Sequence, residues 1–66
     1  MYGIHKITKA ELERLLDEGY QIDEMATTDS SPERIEELRR YTRTIRRVGG
    51  RAKAVQVGKK IYSIFK

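Results

Sequence analysis

The amino-acid sequence predicts a small α+β domain with the element order (β)-α-β-α-β-β. Two stretches, positions 8–18 and 31–48, carry apolar residues at helical spacing between recognisable start and stop residues. A third stretch, positions 52–65, alternates around a Gly-Lys pair and predicts a β-hairpin. The chain has 66 residues, which suits a single domain spanning positions 1–66. The expected architecture is two-layered. A three-stranded antiparallel sheet, with a possible fourth N-terminal edge strand, carries both helices on one face.

The N-terminal segment, Tyr2–Ile7, is expected to form a short edge strand or an extended arm. It contains the apolar residues Tyr2, Ile4 and Ile7, whereas Gly3 lowers its strand propensity. His5 is the only histidine of the chain. No partner stands at ligand spacing from it, so we expect a surface residue and not a metal ligand.

The first helix is predicted from Thr8 to Glu18. Thr8 followed three residues later by Glu11 forms the T-x-x-E pattern of a capping box, and Ile7 and Leu12 stand at the positions of a hydrophobic staple. The expected buried stripe comprises Leu12, Leu15 and Leu16. Gly19 is expected to end the helix in a left-handed conformation.

A strand is predicted next, at Tyr20–Thr28, with Tyr20 folding back on Leu15 at the helix end. Strict alternation places Tyr20, Ile22 and Ala26 on one face of this strand and Met25 on the other. The polar residues 27–31 then form a turn. Their composition would also suit a phosphoacceptor loop, but the capping of the next helix explains them better.

The second helix has recognisable residues at both its start and its end. Ser31 is the expected N-cap with Pro32 at the first helical position, while Ser30 and Glu33 offer a competing capping box one residue earlier. Acidic residues fill the first turns and arginines the last, in agreement with the helix dipole. Gly49 is expected to supply the left-handed position after the helix.

The two faces of the second helix differ in character. At about 100° per residue, one arc of roughly 140° is apolar and an arc of roughly 120° almost opposite is basic. The apolar arc, expected to be buried, comprises Ile35, Leu38, Tyr41, Thr42, Ile45 and Val48. The basic arc, expected to face outward, comprises Arg39, Arg40, Arg43, Arg46 and Arg47.

The hairpin is predicted to consist of Ala52–Val57 and Lys60–Phe65 joined by a type II′ turn at Gly58–Lys59. This register pairs Val57 with Lys60, Val55 with Tyr62 and Lys53 with Ile64. It gives a core face of Val55, Val57, Tyr62 and Ile64. The opposite face would then carry Ile61 and Phe65. This requires a partial cover, a different register or a dimer contact.

Charge is distributed unequally along the chain, whose formal net charge is +4. Residues 1–33 carry three basic and eight acidic side chains, whereas residues 34–66 carry eleven basic and two acidic ones. No residue from Arg39 to Lys66 is acidic. Such asymmetry indicates a surface for a polyanion, or two halves that neutralise each other in the fold.

The sequence offers little for catalysis or metal binding. It has no cysteine, and none of the hydrolase, zinc-protease or nucleotide-loop motifs is present. Gly49–Gly50 follows a helix and is explained as a helix stop. Acidic pairs such as Asp17/Glu18 are expected to be solvated. We therefore expect a protein that is not an enzyme and needs no cofactor, metal or small-molecule substrate.

The first functional hypothesis is a small basic module that binds DNA or RNA phosphates through the arginine-rich helix. Arginine binds phosphate through a planar fork of donors and stacks on bases. The candidate residues are Arg39, Arg40, Arg43, Arg46, Arg47, Arg51, Lys53, Lys59 and Lys60, the last four extending the helix onto the glycine loop and the hairpin turn. Tyr41 and Tyr62 would suit stacking, although core packing is the favoured role for both.

The alternative hypothesis is a virus- or mobile-element-encoded inhibitor or adaptor that binds an acidic surface of a host protein. The same arginines, or the acidic first half of the chain, would serve it. A homodimer is compatible with either hypothesis. The sequence shows no secretory signal, lipidation motif or membrane-spanning stretch, so the expected compartment is the cytoplasm and no membrane partner is expected.

Overall fold

A computed structural model describes residues 3–66 as two helices and a four-stranded mixed sheet. The predicted order, with the fourth strand at the N-terminus, is confirmed. The elements are β1 (His5–Lys6), α1 (Lys9–Asp17), β2 (Gln21–Thr27), α2 (Pro32–Arg47), β3 (Ala52–Val57) and β4 (Lys60–Phe65). The prediction for Tyr2 lies outside the described residues.

Both helices begin at the predicted N-caps. Thr8 and Glu11 form the complete capping box of α1. At α2, the Ser31 hydroxyl accepts from the backbone N–H of Arg34 at 3.2 Å. Ser31 is therefore the cap and not Ser30, whose hydroxyl instead accepts from the N–H of Thr27 at 2.9 Å. Local side-chain chemistry at these positions satisfies donors that a helix start leaves unpaired.

Both helices also end in the same motif, with a glycine in the left-handed conformation. The φ angle is +108° at Gly19 and +88° at Gly49. After α1, Tyr20 N–H donates to Leu15 C=O at 3.2 Å, and after α2, Gly50 N–H donates to Ile45 C=O at 2.9 Å. These bonds from the second residue past the helix cap define Schellman endings, as the sequence predicted for Tyr20.

The sheet has the strand order β1-β3-β4-β2. The β3–β4 register is the predicted one, with Val55 opposite Tyr62 and Val57 opposite Lys60. The strand β4 is antiparallel to both β2 and β3, while β1 is parallel to β3 and pairs with it only at His5–Val55 and Lys6–Gln56. The short β1 leaves the first residues of β3 without a strand neighbour on that side, within residues 3–66.

The two helices pack on opposite faces of the sheet, so the prediction that they share one face is wrong. On one face, Leu12 of α1 packs in a cluster with Val55, Tyr62 and Ile64, the predicted core face. On the other, Leu38 of α2 packs with a second cluster, Ala26, Ala54 and Ile61. The fold therefore has three layers, and α2 is the cover over the hairpin face that carries Ile61 and Phe65.

The chain path explains this arrangement. The connection through α1 runs from β1 at one edge of the sheet to β2 at the other, and the connection through α2 returns from β2 to β3. Each connection joins parallel strands, and such crossovers have one strongly preferred hand. Two crossovers of the same hand that run in opposite directions across a sheet must pass over opposite faces.

A bulge in β2 overturns the predicted alternation of this strand. The register shifts between Ile22 and Glu24, so Ile22 opposite Ile64 and Met25 opposite Tyr62 lie on the face of α1. Ala26, opposite Ile61, lies on the face of α2 and is buried. An extra residue in a strand reverses the face of every residue after it. Sequence alternation alone therefore misassigned this strand.

Candidate nucleic-acid interface

The helix α2 is only partly buried along its predicted apolar arc. Leu38 and Thr42 are buried against the sheet, and Ile35 and Ile45 are half-buried. Tyr41 and Val48 are exposed, contrary to the prediction, with Val48 retaining 81% of its exposed surface. Val48 is the C-cap residue at the end of α2, and Tyr41 lies within the helix but retains 42% of its exposed surface.

The five arginines of the basic arc take three different positions. Arg40 and Arg47 point outward, and the Arg40 side chain is 74% exposed. Arg39 and Arg43 lie lower on the flank of the helix, where they are half-buried and their Nε atoms are inaccessible to solvent. The side chain of Arg46 bends towards the sheet, where its Nε donates to the Ala52 carbonyl at 2.7 Å. The outward prediction therefore holds best for Arg40 and Arg47.

Two acidic residues in the N-terminal half of α2, Glu36 and Glu37, form ion pairs with arginines. Glu36 lies 3.4 Å from Arg39 and 4.0 Å from Arg40, and Glu37 lies 3.7 Å from Arg34. Within residues 3–66, no carboxylate lies within 4.0 Å of the Arg47 or Arg51 guanidinium. Among the described residues, the charges of Arg47 and Arg51 are therefore not neutralised by a carboxylate in contact.

On the other flank of α2, two residues are held by the acidic part of β2. Arg34 donates to the Glu24 carboxylate at 2.8 Å and to the Met25 carbonyl at 2.9 Å. The hydrogen bond with Glu24 raises the pKa of the Arg34 guanidinium. A hydrogen bond with Asp23 likewise raises the pKa of the Tyr41 phenol. Tyr41 is exposed and not part of the core, so the prediction that it packs there is not matched by the structure.

The lysines of the hairpin turn lie away from the arginines. Thr28 N–H donates to Lys59 C=O at 2.9 Å, so the turn lies beside the start of α2. The helix has 16 residues, and its far end is therefore about 24 Å away. Lys60 shares the face of α1 with Val57 and Tyr62. The geometry therefore does not match the prediction that Lys59 and Lys60 extend the basic arc of α2.

Arg51 and Lys53 lie near the C-terminal end of α2. Arg51 is exposed in the loop that follows the helix. Lys53 lies on the sheet face that α1 covers, with its Nζ 5.6 Å from the centroid of the Tyr20 ring. Lys66 Nζ lies 5.7 Å from the same centroid.

Sequence reasoning missed Tyr20 and Lys66 as neighbours of this basic end. They meet because β2 begins and β4 ends there, with Gln21 paired to Phe65. No periodicity in the sequence signals this contact, since it depends on strand order. The signal that did exist was charge, because Lys66 belongs to the acid-free part of the chain.

No cluster of three His, Asp or Glu side chains suitable for a metal ion occurs within residues 3–66. Over the same residues, neither helix has the length and apolarity required to cross a membrane. No protein-family model matches the chain, and no curated protein or solved structure is significantly similar to it.

Proposed function

We propose that the protein is a small, non-catalytic module that binds the phosphate backbone of nucleic acid. We name its binding surface the arginine surface and define it as Arg40, Arg43, Arg47 and Arg51. The observation that carries the proposal is the unneutralised charge of Arg47 and Arg51, which have no carboxylate within 4.0 Å among the described residues. Arg40 extends this surface towards the middle of α2.

The energetics favour a functional reason for this charge. Like charges that stand within one or two turns of a helix repel each other and destabilise the fold. A 66-residue domain without disulfides has little stability to spare. Phosphates relieve the repulsion through bidentate, charge-assisted hydrogen bonds with guanidinium groups. Counterions released from the nucleic acid then add to the binding free energy.

The test is a double charge reversal, Arg40→Glu with Arg47→Glu, assayed against single-stranded DNA, RNA and duplex DNA by fluorescence anisotropy. We expect affinity to fall by roughly tenfold or more for every ligand, because two phosphate contacts become repulsive. The matched control, Lys59→Glu with Lys60→Glu, makes the same charge change at the opposite end of α2 and should leave affinity within about twofold. Equal losses in the two variants would contradict a localised surface.

A second candidate function is binding to an acidic surface of another protein, as an inhibitor or adaptor. The exposed Val48, which follows Arg47 in the sequence, favours it, because an exposed apolar side chain suits a protein interface better than a phosphate backbone. Val48→Ser tests this alternative in a pull-down from nuclease-treated lysate. Loss of a captured protein together with unchanged nucleic-acid affinity would favour the second function over the first.

A further inference from the structure

A groove runs along the edge of β3 that β1 leaves open, between α1 and the loop after α2. It consists of two adjoining depressions that share Arg46 and Lys53 in their walls. The larger, of about 430 Å³, lies between α1 and the sheet, and the smaller, of about 290 Å³, lies beside the loop after α2. The groove exists because β1 pairs with only two residues of β3 and leaves the edge at Ala52 and Lys53 uncovered within residues 3–66.

The smaller depression is a cluster of cations. Arg46, Arg51 and Lys53 line it together with Tyr20, and no acidic side chain of residues 3–66 lines it. Two of these cations are held in place, since Arg46 Nε donates to the Ala52 carbonyl and Lys53 Nζ lies over the Tyr20 ring. Donors positioned before binding lose less conformational freedom when an anion arrives.

The larger depression is apolar on one side and mixed in charge on the other. The half-buried Ile7 and Leu15 provide aliphatic surface, and the volume of the depression lies in the range of small-ligand sites. Two acidic residues line it, Glu11 of α1 and Glu18 at the C-cap of that helix. Glu11 is already engaged, since one of its carboxylate oxygens accepts from the N–H and hydroxyl of Thr8. The groove therefore has a compartment beside α1 that is aliphatic on one side, and a cationic compartment beside the loop.

We propose that this groove binds one unpaired nucleotide of a single strand, with the base against Ile7 and Leu15 and its phosphate at Arg46, Arg51 and Lys53. The apolar face of a base would lie on the aliphatic side of the larger depression, while the phosphate, joined to the base through the sugar, would reach the cations of the smaller one. A base within a duplex cannot enter, because it is stacked and paired, so the groove distinguishes single strands from duplexes. This inference rests on the proposed function and names its ligand class.

The first experiment uses adenosine monophosphate, ribose 5-phosphate and inorganic phosphate as probes in NMR titrations of the full chain. Adenosine monophosphate should shift the methyl resonances of Ile7 and Leu15 and bind about tenfold more tightly than either probe without a base. Equal binding of all three probes, or Ile7 and Leu15 methyls that do not respond, would overturn the proposal.

The second experiment compares Lys53→Glu with Lys59→Glu for binding to a single strand and to a duplex of equal length. Lys53→Glu should lower single-strand affinity by about tenfold and change duplex affinity by less than about twofold, while Lys59→Glu should alter neither. Equal losses for both ligands in Lys53→Glu would refute the groove. A different result would contradict the proposed function: nucleic-acid affinity that is unchanged in the Arg40→Glu, Arg47→Glu variant.

Discussion

At the scale of single residues, two hydroxyl groups are buried between α2 and the sheet and form a hydrogen bond with each other. Thr42 Oγ1 and Ser63 Oγ lie 2.7 Å apart, and Thr42 Oγ1 also donates to the Leu38 carbonyl at 2.9 Å. Thr42 has one hydroxyl hydrogen, so Ser63 donates to Thr42. Ser63 is fully buried and depends on this acceptor. The pair joins α2 to the central strand β4.

Replacing Thr42 by Val should therefore destabilise the protein more than replacing Ser63 by Ala. Thr42→Val retains the shape but leaves the buried Ser63 donor unpaired, at about 1–3 kcal/mol, whereas Ser63→Ala loses one net hydrogen bond, about 1 kcal/mol. Urea denaturation of both variants and of the double variant measures this. The double variant should lose less than the sum of the two, and strict additivity would argue against the hydrogen bond.

At the scale of elements, arginine side chains of α2 donate to main-chain carbonyls at the edge strand β2 and at the part of β3 that β1 leaves open. Arg34 near its start donates to the Met25 carbonyl on the outer edge of β2, and Arg46 near its end donates to the Ala52 carbonyl of β3. Exposed strand edges with unpaired main-chain groups promote association between chains. The exposed Ile22 and Met25 make the β2 edge the more vulnerable one.

Removing the protection of β2 should promote self-association. Arg34→Met frees the Met25 carbonyl and releases Glu24, so we expect the apparent mass to rise with protein concentration in size-exclusion chromatography with light scattering. Arg40→Met, which makes the same charge change on the outward side of α2, should remain at the parental mass. A monomeric Arg34→Met protein at all concentrations would show that the bulge and acidic residues of β2 protect the edge without Arg34.

At the scale of the whole molecule, the fold gathers positive charge at one end. The helix α2 ends, β3 begins and β4 ends there, which brings Arg47, Arg51, Lys53 and Lys66 into one region. Lys66 N–H donates to Arg51 C=O at 2.8 Å, which ties the last residue of the chain to the loop after α2. The far end carries Lys59 and the polar turn before α2.

The salt dependence of binding should report the number of phosphates engaged. If the arginine surface and the groove together contact about three or four phosphates of a single strand, log K should fall against log salt with a slope of about −2 to −3. The Arg40→Glu, Arg47→Glu variant should lose at least about one unit of that slope. Anisotropy titrations over a salt series measure it, and a slope near zero would point to a non-electrostatic partner.

Much of the local structure is predictable from the sequence. Thr8 with Glu11, Ser31 with Pro32, Gly19 and Gly49 mark the helix ends through hydrogen bonds that span only a few residues. The hairpin register follows from Gly58, whose φ of +62° suits a two-residue turn. Such features depend on neighbours in the chain and not on the rest of the fold.

The candidate site was only partly predictable. Helical spacing correctly placed Arg40 and Arg47 on the outside, because spacing along one helix is regular. It could not show that Arg46 bends to the edge of β3 or that Lys59 lies at the opposite end of α2, since both depend on where other strands run. The bulge at β2 defeated alternation for the same reason.

By itself, the sequence determined the element order, the helix caps, the hairpin and the concentration of positive charge after Arg39. Only the tertiary structure decided that the helices lie on opposite faces, that β1 pairs with only two residues of β3, and that Tyr20 meets Lys53 and Lys66. The physical reason is the range of the forces involved. Caps and turns are settled by hydrogen bonds between near neighbours, whereas strand order depends on crossover handedness and on burying two apolar faces at once.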